Sequence, residues 1–260
     1  MASEIVRKLT PEEEELLRKR EELTSVRAVL AERELELADL RTQLKSFEGR
    51  YLRQVGALYA ELDDWEAKIA EIEASLKPSA TASQRAQETR KRAEETHEAT
   101  HGEASKARDF QPSPDLKSLF REAAKRLHPD FAKDDADRQL RTRLMAQLNE
   151  AYSQGDAEAI QRILDEFGNS PESVQGEGVG AELVRIIRQI HQARKNIEAI
   201  ENELSSLRAS EIAQLKDDAE IAKQQGRHLF DELIADVRER IATVKKKHET
   251  LSAEVGKRGR

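Results

Sequence analysis

Residues 114–131 read PDLKSLFREAAKRLHPDF, and the fold turns on how this stretch is read. On a helical wheel Leu116, Leu119, Phe120, Ala123 and Leu127 share one face. Lys117, Arg121 and Lys125, each four apart, lie on the opposite face, with Arg126 beside them. Proline disfavours helical geometry at the residue before it, so the helix is expected to stop near Leu127, leaving His128-Pro129-Asp130 at the bend. The polar FAKDDAD follows, and then RQLRTRLMAQLNEAYSQGD, residues 138–156. There Leu140, Leu144, Met145, Leu148, Ala151 and Tyr152 recur at helical spacing. Two amphipathic helices joined by a turn would bury these faces against each other. The basic stripe would stay outside, with the tripeptide displayed at the corner. Asp156 is placed to cap a third short helix carrying Ile160, Ile163, Leu164 and Phe167.

Outward from this segment the chain changes character. Thr10-Pro11-Glu12-Glu13 has the form of a capping box with proline at the first helical position. From there Leu16, Leu23, Val26, Leu30, Leu37, Leu40, Leu44, Phe47 and Tyr51 step by threes and fours or their sums, with a lapse at Arg33. At Tyr51, Val55 and Leu58 one step is four where three was due, a stutter that locally unwinds a supercoil. The seam resumes with Leu62, Trp65, Ile69, Ile72 and Leu76, and Pro78 ends it. A second long helix is expected from about Ala181 to Val255. Its seam runs through Leu183, Ile186, Ile190, Ile197, Ile200, Leu204 and Leu207, fades between Leu215 and Leu229, and returns with Leu233, Val237, Ile241, Val244, His248, Leu251 and Val255.

These readings give an all-α fold of two long coiled-coil helices flanking a small helical hairpin. The expected divisions are an N-terminal arm over 1–77, a polar linker over 78–113, a helical segment over 114–167, a flexible hinge over 168–180 and a C-terminal arm over 181–260. The linker has no large apolar residue between Leu76 and Phe110, so nothing is expected to hold it against a core. The two arms are about equally long, roughly 100 Å each at about 1.5 Å per residue. Equal lengths favour an antiparallel hairpin, and pairing of each arm with a second copy in a homodimer is the alternative.

Composition narrows the function classes. Of the 260 residues 37% are charged and only 4% aromatic, too few large apolar side chains for the thick core of a compact enzyme of this length. There is no cysteine, which excludes disulfides and thiolate chemistry. No signal-peptide core or membrane-spanning run is visible, so a soluble, cytoplasmic location is expected. A net charge of −7 disfavours general nucleic-acid binding. The basic tail (Lys245, Lys246, Lys247, Lys257, Arg258 and Arg260) reads as a solvated helix end whose cations suit the C-terminal dipole. The glycines of GNSPESVQGEGVG, residues 168–180, do not form a phosphate loop, since no strand precedes them and no Gly-Lys-Ser/Thr follows. His97-Glu98-Ala99-Thr100-His101 matches the zinc-protease pattern H-E-x-x-H. It lies in the most polar stretch, without a third ligand or a pocket-building neighbour, and reads as a chance match. No cofactor or metal is expected.

Residues 116–152 resemble the second helix, loop and third helix of a J-domain, the co-chaperone module of DnaJ-type proteins. The resemblance is carried by LFREAAKRLHPD (119–130) and LMAQLNEAY (144–152), about a seventh of the chain. FEGRYLRQVGALYAELDDWEAKIAEIE (47–73) is also similar to the coiled-coil arm of some bacterial J-domain-containing proteins. The resemblance implies that His128, Pro129 and Asp130, with Lys117, Arg121, Lys125 and Arg126, engage a DnaK-type chaperone and stimulate its ATP hydrolysis. It implies that Phe120, Leu127, Leu148 and Tyr152 are packing positions. The chain itself would then make and break no bonds, and its coils would position a client protein. The sequence departs from the family at its first helix, where only Phe110 of the usual apolar positions is kept, at Ala123, and at Glu122, which interrupts the basic run. A structural coiled-coil scaffold with an inactive J-like segment is the rival expectation.

Overall fold

The computed structural model describes residues 9–102, 110–168 and 178–258. Among them every regular element is helical, as the all-α expectation requires. The long helices are α1 (Pro11–Tyr51), α2 (Ala57–Leu76) and α3 (Ala80–His101), then α4 (Pro114–Leu127), α5 (Asp135–Gln154) and α6 (Ala157–Gly168), then α7 (Val179–Arg208), α8 (Glu211–Gln224) and α9 (Leu229–Arg258). No described helix is long and apolar enough to cross a membrane. Most of the hinge expected at 168–180, and Arg260 of the tail, lie outside the described residues.

Local sequence accounts for the helix ends. At the start of α1 the Thr10 backbone N–H donates to the Glu13 carboxylate at 2.8 Å, and the Glu13 N–H donates to the Thr10 hydroxyl at 3.3 Å. The stutter is absorbed by a π-helical turn, Leu52–Gly56, whose extra residue resets the seam so that Val55 and Leu62 are both buried. Gly56 sits at a close approach, where a Cβ would stand 3.0 Å from the Thr100 methyl of α3.

The chain forms two compact units, one of residues up to Thr42 with Phe110–Arg208, the other of Gln43–Asp109 with Ala209–Arg260. Each therefore draws on both long arms, and the arms are not separate from the hairpin. In the first unit the α1 seam (Leu16, Leu23, Val26, Leu30, Leu37) buries against Ile186, Ile190, Ala193, Ile200 and Leu204 of α7. The flanking ion pairs Arg20–Glu182, Arg33–Glu201 and Glu36–Arg208 advance together along both helices, so α1 and α7 run parallel. In the second unit α2 and α9 also run parallel: Leu62 packs with Val237 and Ile241, Glu61 pairs with Lys245, and Glu73 pairs with Lys247. The antiparallel hairpin expected from equal arm lengths is thus corrected.

The reason lies in the segment expected to be an unheld linker. Residues 80–101 form α3, capped by Ser79, and return antiparallel along α2. Arg90 bonds Glu71 at 2.8 Å and Asp64 at 3.0 Å, Arg92 bonds Asp63 and Glu66, and the Thr96 hydroxyl donates to Asp63 at 2.8 Å. Small Ala93 lets the helices approach closely enough for this polar ladder. A helix without a bulky apolar stripe is held by charge. Arg90→Ala is expected to cost about 1 kcal/mol and to speed amide exchange along α3. The difference from wild type should shrink in high salt, which screens the exposed pairs; a salt-independent difference would contradict the polar account.

The expected single C-terminal helix is three. Ser210 caps α8, its hydroxyl accepting from the Ala213 N–H, and Gly226 takes φ 73° between α8 and α9. The break at Gly226 falls within the stretch where the seam fades, between Leu215 and Leu229. Of the basic tail, Lys245 and Lys247 are committed to carboxylates of α2.

Candidate functional site

The predicted hairpin faces come together. Leu116, Phe120, Ala123 and Leu127 of α4 bury with Leu144, Met145, Leu148, Ala151 and Tyr152 of α5 and with Ile160, Ile163 and Leu164 of α6. The Phe120 and Tyr152 rings lie 4.7 Å apart, and Phe110 meets Tyr152 edge-on at 5.3 Å. Ser113 caps α4, Asp134 caps α5, and Asp156 accepts from the Ala159 N–H at 2.8 Å to cap the next helix. All four packing positions, Phe120, Leu127, Leu148 and Tyr152, are fully buried.

A second stripe of α1 forms the floor of this core. Ala31, Leu35 and Ala38 pack under the hairpin on the face that opens where the main seam lapses at Arg33. Sequence reasoning followed only one stripe of that helix and missed the other, although the spacing of four and three was present.

The corner itself is not displayed as expected. His128 is only 4% exposed. The Asp130 backbone N–H donates to His128 Nδ1 at 3.2 Å. Nε2 donates to the Glu34 carboxylate of α1 at 3.2 Å. From the other side the Asn196 amide of α7 donates to both Asp130 oxygens at 2.8 Å. Burial pushes the Asp130 carboxyl above its ordinary range, against the opposing pull of His128 and the Asn196 bond. Phe131 is buried in the α1–α7 seam, with the Arg27 guanidinium 4.2 Å over its ring. Burial, with Arg141 nearby, holds the Arg27 guanidinium below its usual range.

The basic stripe stays outside as expected, with Arg121, Lys125 and Arg126 exposed and Lys117 half-buried, but most of it is paired. Lys117 bonds Asp39 at 2.7 Å, and Arg121 pairs with Glu32 at 3.3 Å, both on α1. Asp39 also accepts from the Tyr152 hydroxyl at 3.5 Å; burial and this carboxylate together push the phenol up. Arg126 pairs with Glu122, the residue that interrupts the basic run. Lys125 is exposed and has no carboxylate partner among the described residues. The partners that close the corner, Glu32, Glu34 and Asp39 on α1 and Asn196 on α7, are far from it in sequence. The one trace they left was the acidic run in the gap of the α1 seam.

Behind the corner a buried pair fixes the loop. Arg141 bonds Asp137 at 2.8 Å and donates to the Arg126 carbonyl at 2.7 Å, closing the C-terminal end of α4. Asp137 also accepts from the Lys133 N–H at 2.9 Å. Pro129 is half-buried, the Asp130 side chain is only 8% exposed, and both line an open cleft of about 720 Å³ between the loop and α7.

The His97 and His101 rings of the H-E-x-x-H match stack with centroids 4.1 Å apart, and His101 Nδ1 lies 3.0 Å from the His97 carbonyl. Among the described residues no group of three His, Cys, Asp or Glu side chains is arranged to hold a metal ion. The chain matches no protein-family model, no curated protein and no solved structure.

Proposed function

We propose that this chain is a J-domain-type co-chaperone that engages a DnaK-type chaperone through His128-Pro129-Asp130 and stimulates its ATPase, its long helices positioning a client or an assembly. The observation that supports this reading most is the α4–turn–α5 hairpin. Phe120, Leu127, Leu148 and Tyr152 share one core, and the tripeptide stands at the corner between them. In this reading the arrangement described is a resting state. Glu34 and Asn196 occupy the imidazole and the carboxylate, and engagement exchanges these bonds for bonds to the chaperone.

A second reading is favoured by the 4% exposure of His128: a scaffold in which the tripeptide only staples the hairpin to α1 and α7. Asp130→Asn separates the two. An asparagine carbonyl still accepts from Asn196, and the substitution removes a buried charge, so stability should stay within about 1 kcal/mol of wild type. The co-chaperone reading expects wild-type protein to raise steady-state ATP hydrolysis by a DnaK-type chaperone and the variant to fall to the unstimulated rate. Equal stimulation by both proteins, or none by the wild type, would favour the scaffold.

A further inference from the structure

Accessible positive charge at the corner is not confined to Arg121, Lys125 and Arg126 of α4. It also surrounds the cleft between the loop and α7, which is lined by Lys133 and Arg138 on one side and by Arg185 and Arg188 on the other. Its apolar surface comes from Pro129, Ala132, Ala181 and Val184, the last of which is 49% exposed. Arg185 and Arg188 have no carboxylate partner among the described residues. Elsewhere on α7, Arg194 and Arg208 both pair with α1. A helix that elsewhere neutralises its arginines leaves these two facing open space beside an exposed valine.

We propose that this cleft docks an acidic, partly apolar segment of a partner protein. Arg185 and Arg188 on the α7 wall would clamp carboxylates bidentately, while Val184 and Pro129 cover an apolar side chain; on the loop wall Arg138 already pairs with Asp135. The cleft is of the size that takes a few side chains. Nucleic acid fits less well. The apolar lining of Pro129, Ala132, Ala181 and Val184 suits an aliphatic side chain and offers a phosphate backbone no partner. This inference goes beyond the co-chaperone reading and does not depend on it.

The test is fluorescence anisotropy on the full chain with a short labelled peptide of alternating Glu and Leu. Its Gln-for-Glu counterpart and a labelled single-stranded oligonucleotide serve as the other arms. Wild type is expected to bind the Glu peptide with an affinity that falls with salt. The Arg185→Glu, Arg188→Glu double variant should bind about ten-fold more weakly or worse. Both arginines are exposed, so the variant should keep its helical circular-dichroism signal and melting temperature. Val184→Ser should weaken binding without changing its salt dependence, and Lys223→Glu on α8 should leave it unchanged. Absence of wild-type binding, equal binding by the double variant, or equal binding of the Gln peptide or the oligonucleotide would each overturn the proposal. So would self-association, seen by light scattering, that the double variant abolishes, since the occupant would then be a second copy.

Discussion

Asn196→Asp is expected to open the His-Pro-Asp corner. The Asn196 amide donates to both Asp130 oxygens at 2.8 Å. The variant puts a second carboxylate where that donor stood, against a group whose ionised form burial already disfavours. Losing the bond and creating a like-charge contact should together cost about 2–4 kcal/mol at neutral pH. The amides of His128 and of residues 130–134 should exchange faster than in wild type.

The loss has a defined pH dependence. Asp130 titrates above its unfolded value in the folded chain, and a neighbouring carboxylate raises it further. Such a group favours the folded state below the unfolded carboxylate pKa, about 3.9, and that contribution disappears as pH rises through the folded pKa. The stability difference between variant and wild type should therefore be small near about pH 4 and full near about pH 7. Taking the difference cancels carboxylates such as Glu36 and Asp64. Their cations hold them below the usual range, and they weaken both proteins equally in acid. A deficit that does not change with pH would rule out the carboxylate pair as its cause. On the co-chaperone reading the opened corner should also stimulate a DnaK-type ATPase more strongly than wild type does.

Phe120→Ala is expected to have the largest effect on the fold. Phe120 is completely buried at the junction of α4, α5 and the second stripe of α1, with its ring against Tyr152. Truncation should cost about 3–5 kcal/mol from lost burial and the cavity left behind. The effect should show as exchange of α4 and α5 amides rather than those of α2 and α3, which belong to the other unit. Tyr152→Phe keeps the ring contacts and removes only the 3.5 Å bond to Asp39, so it should cost no more than about 1 kcal/mol. If the two substitutions cost the same, the aromatic core is not what holds the hairpin.

Much of the local structure was legible because its causes are local. The Thr10–Glu13 box, the Asp156 cap, the stop at Leu127 and the apolar faces of α4, α5 and α6 each follow from residues within a few positions of one another. The stutter at Val55 was legible as a defect of phase, and it became a π-helical turn. What holds Ala80–His101, expected as a partly helical or disordered linker, was not legible for a physical reason: periodicity detects apolar stripes, and α3 is held by ion pairs with α2.

The sequence by itself determined that the chain is helical, where α1 starts, where α4 stops and α6 is capped, and which residues form the core of the hairpin. The tertiary structure alone decided that α7 runs parallel to α1, and that Glu34, Asp39 and Asn196 close over His128, Lys117 and Asp130. Helical periodicity says which face of a helix is apolar, and nothing about which partner it meets or in which direction. A hydrogen bond between residues 66 or 94 positions apart leaves no local signature, because either polar group would be equally satisfied by water until the chain brings the two together.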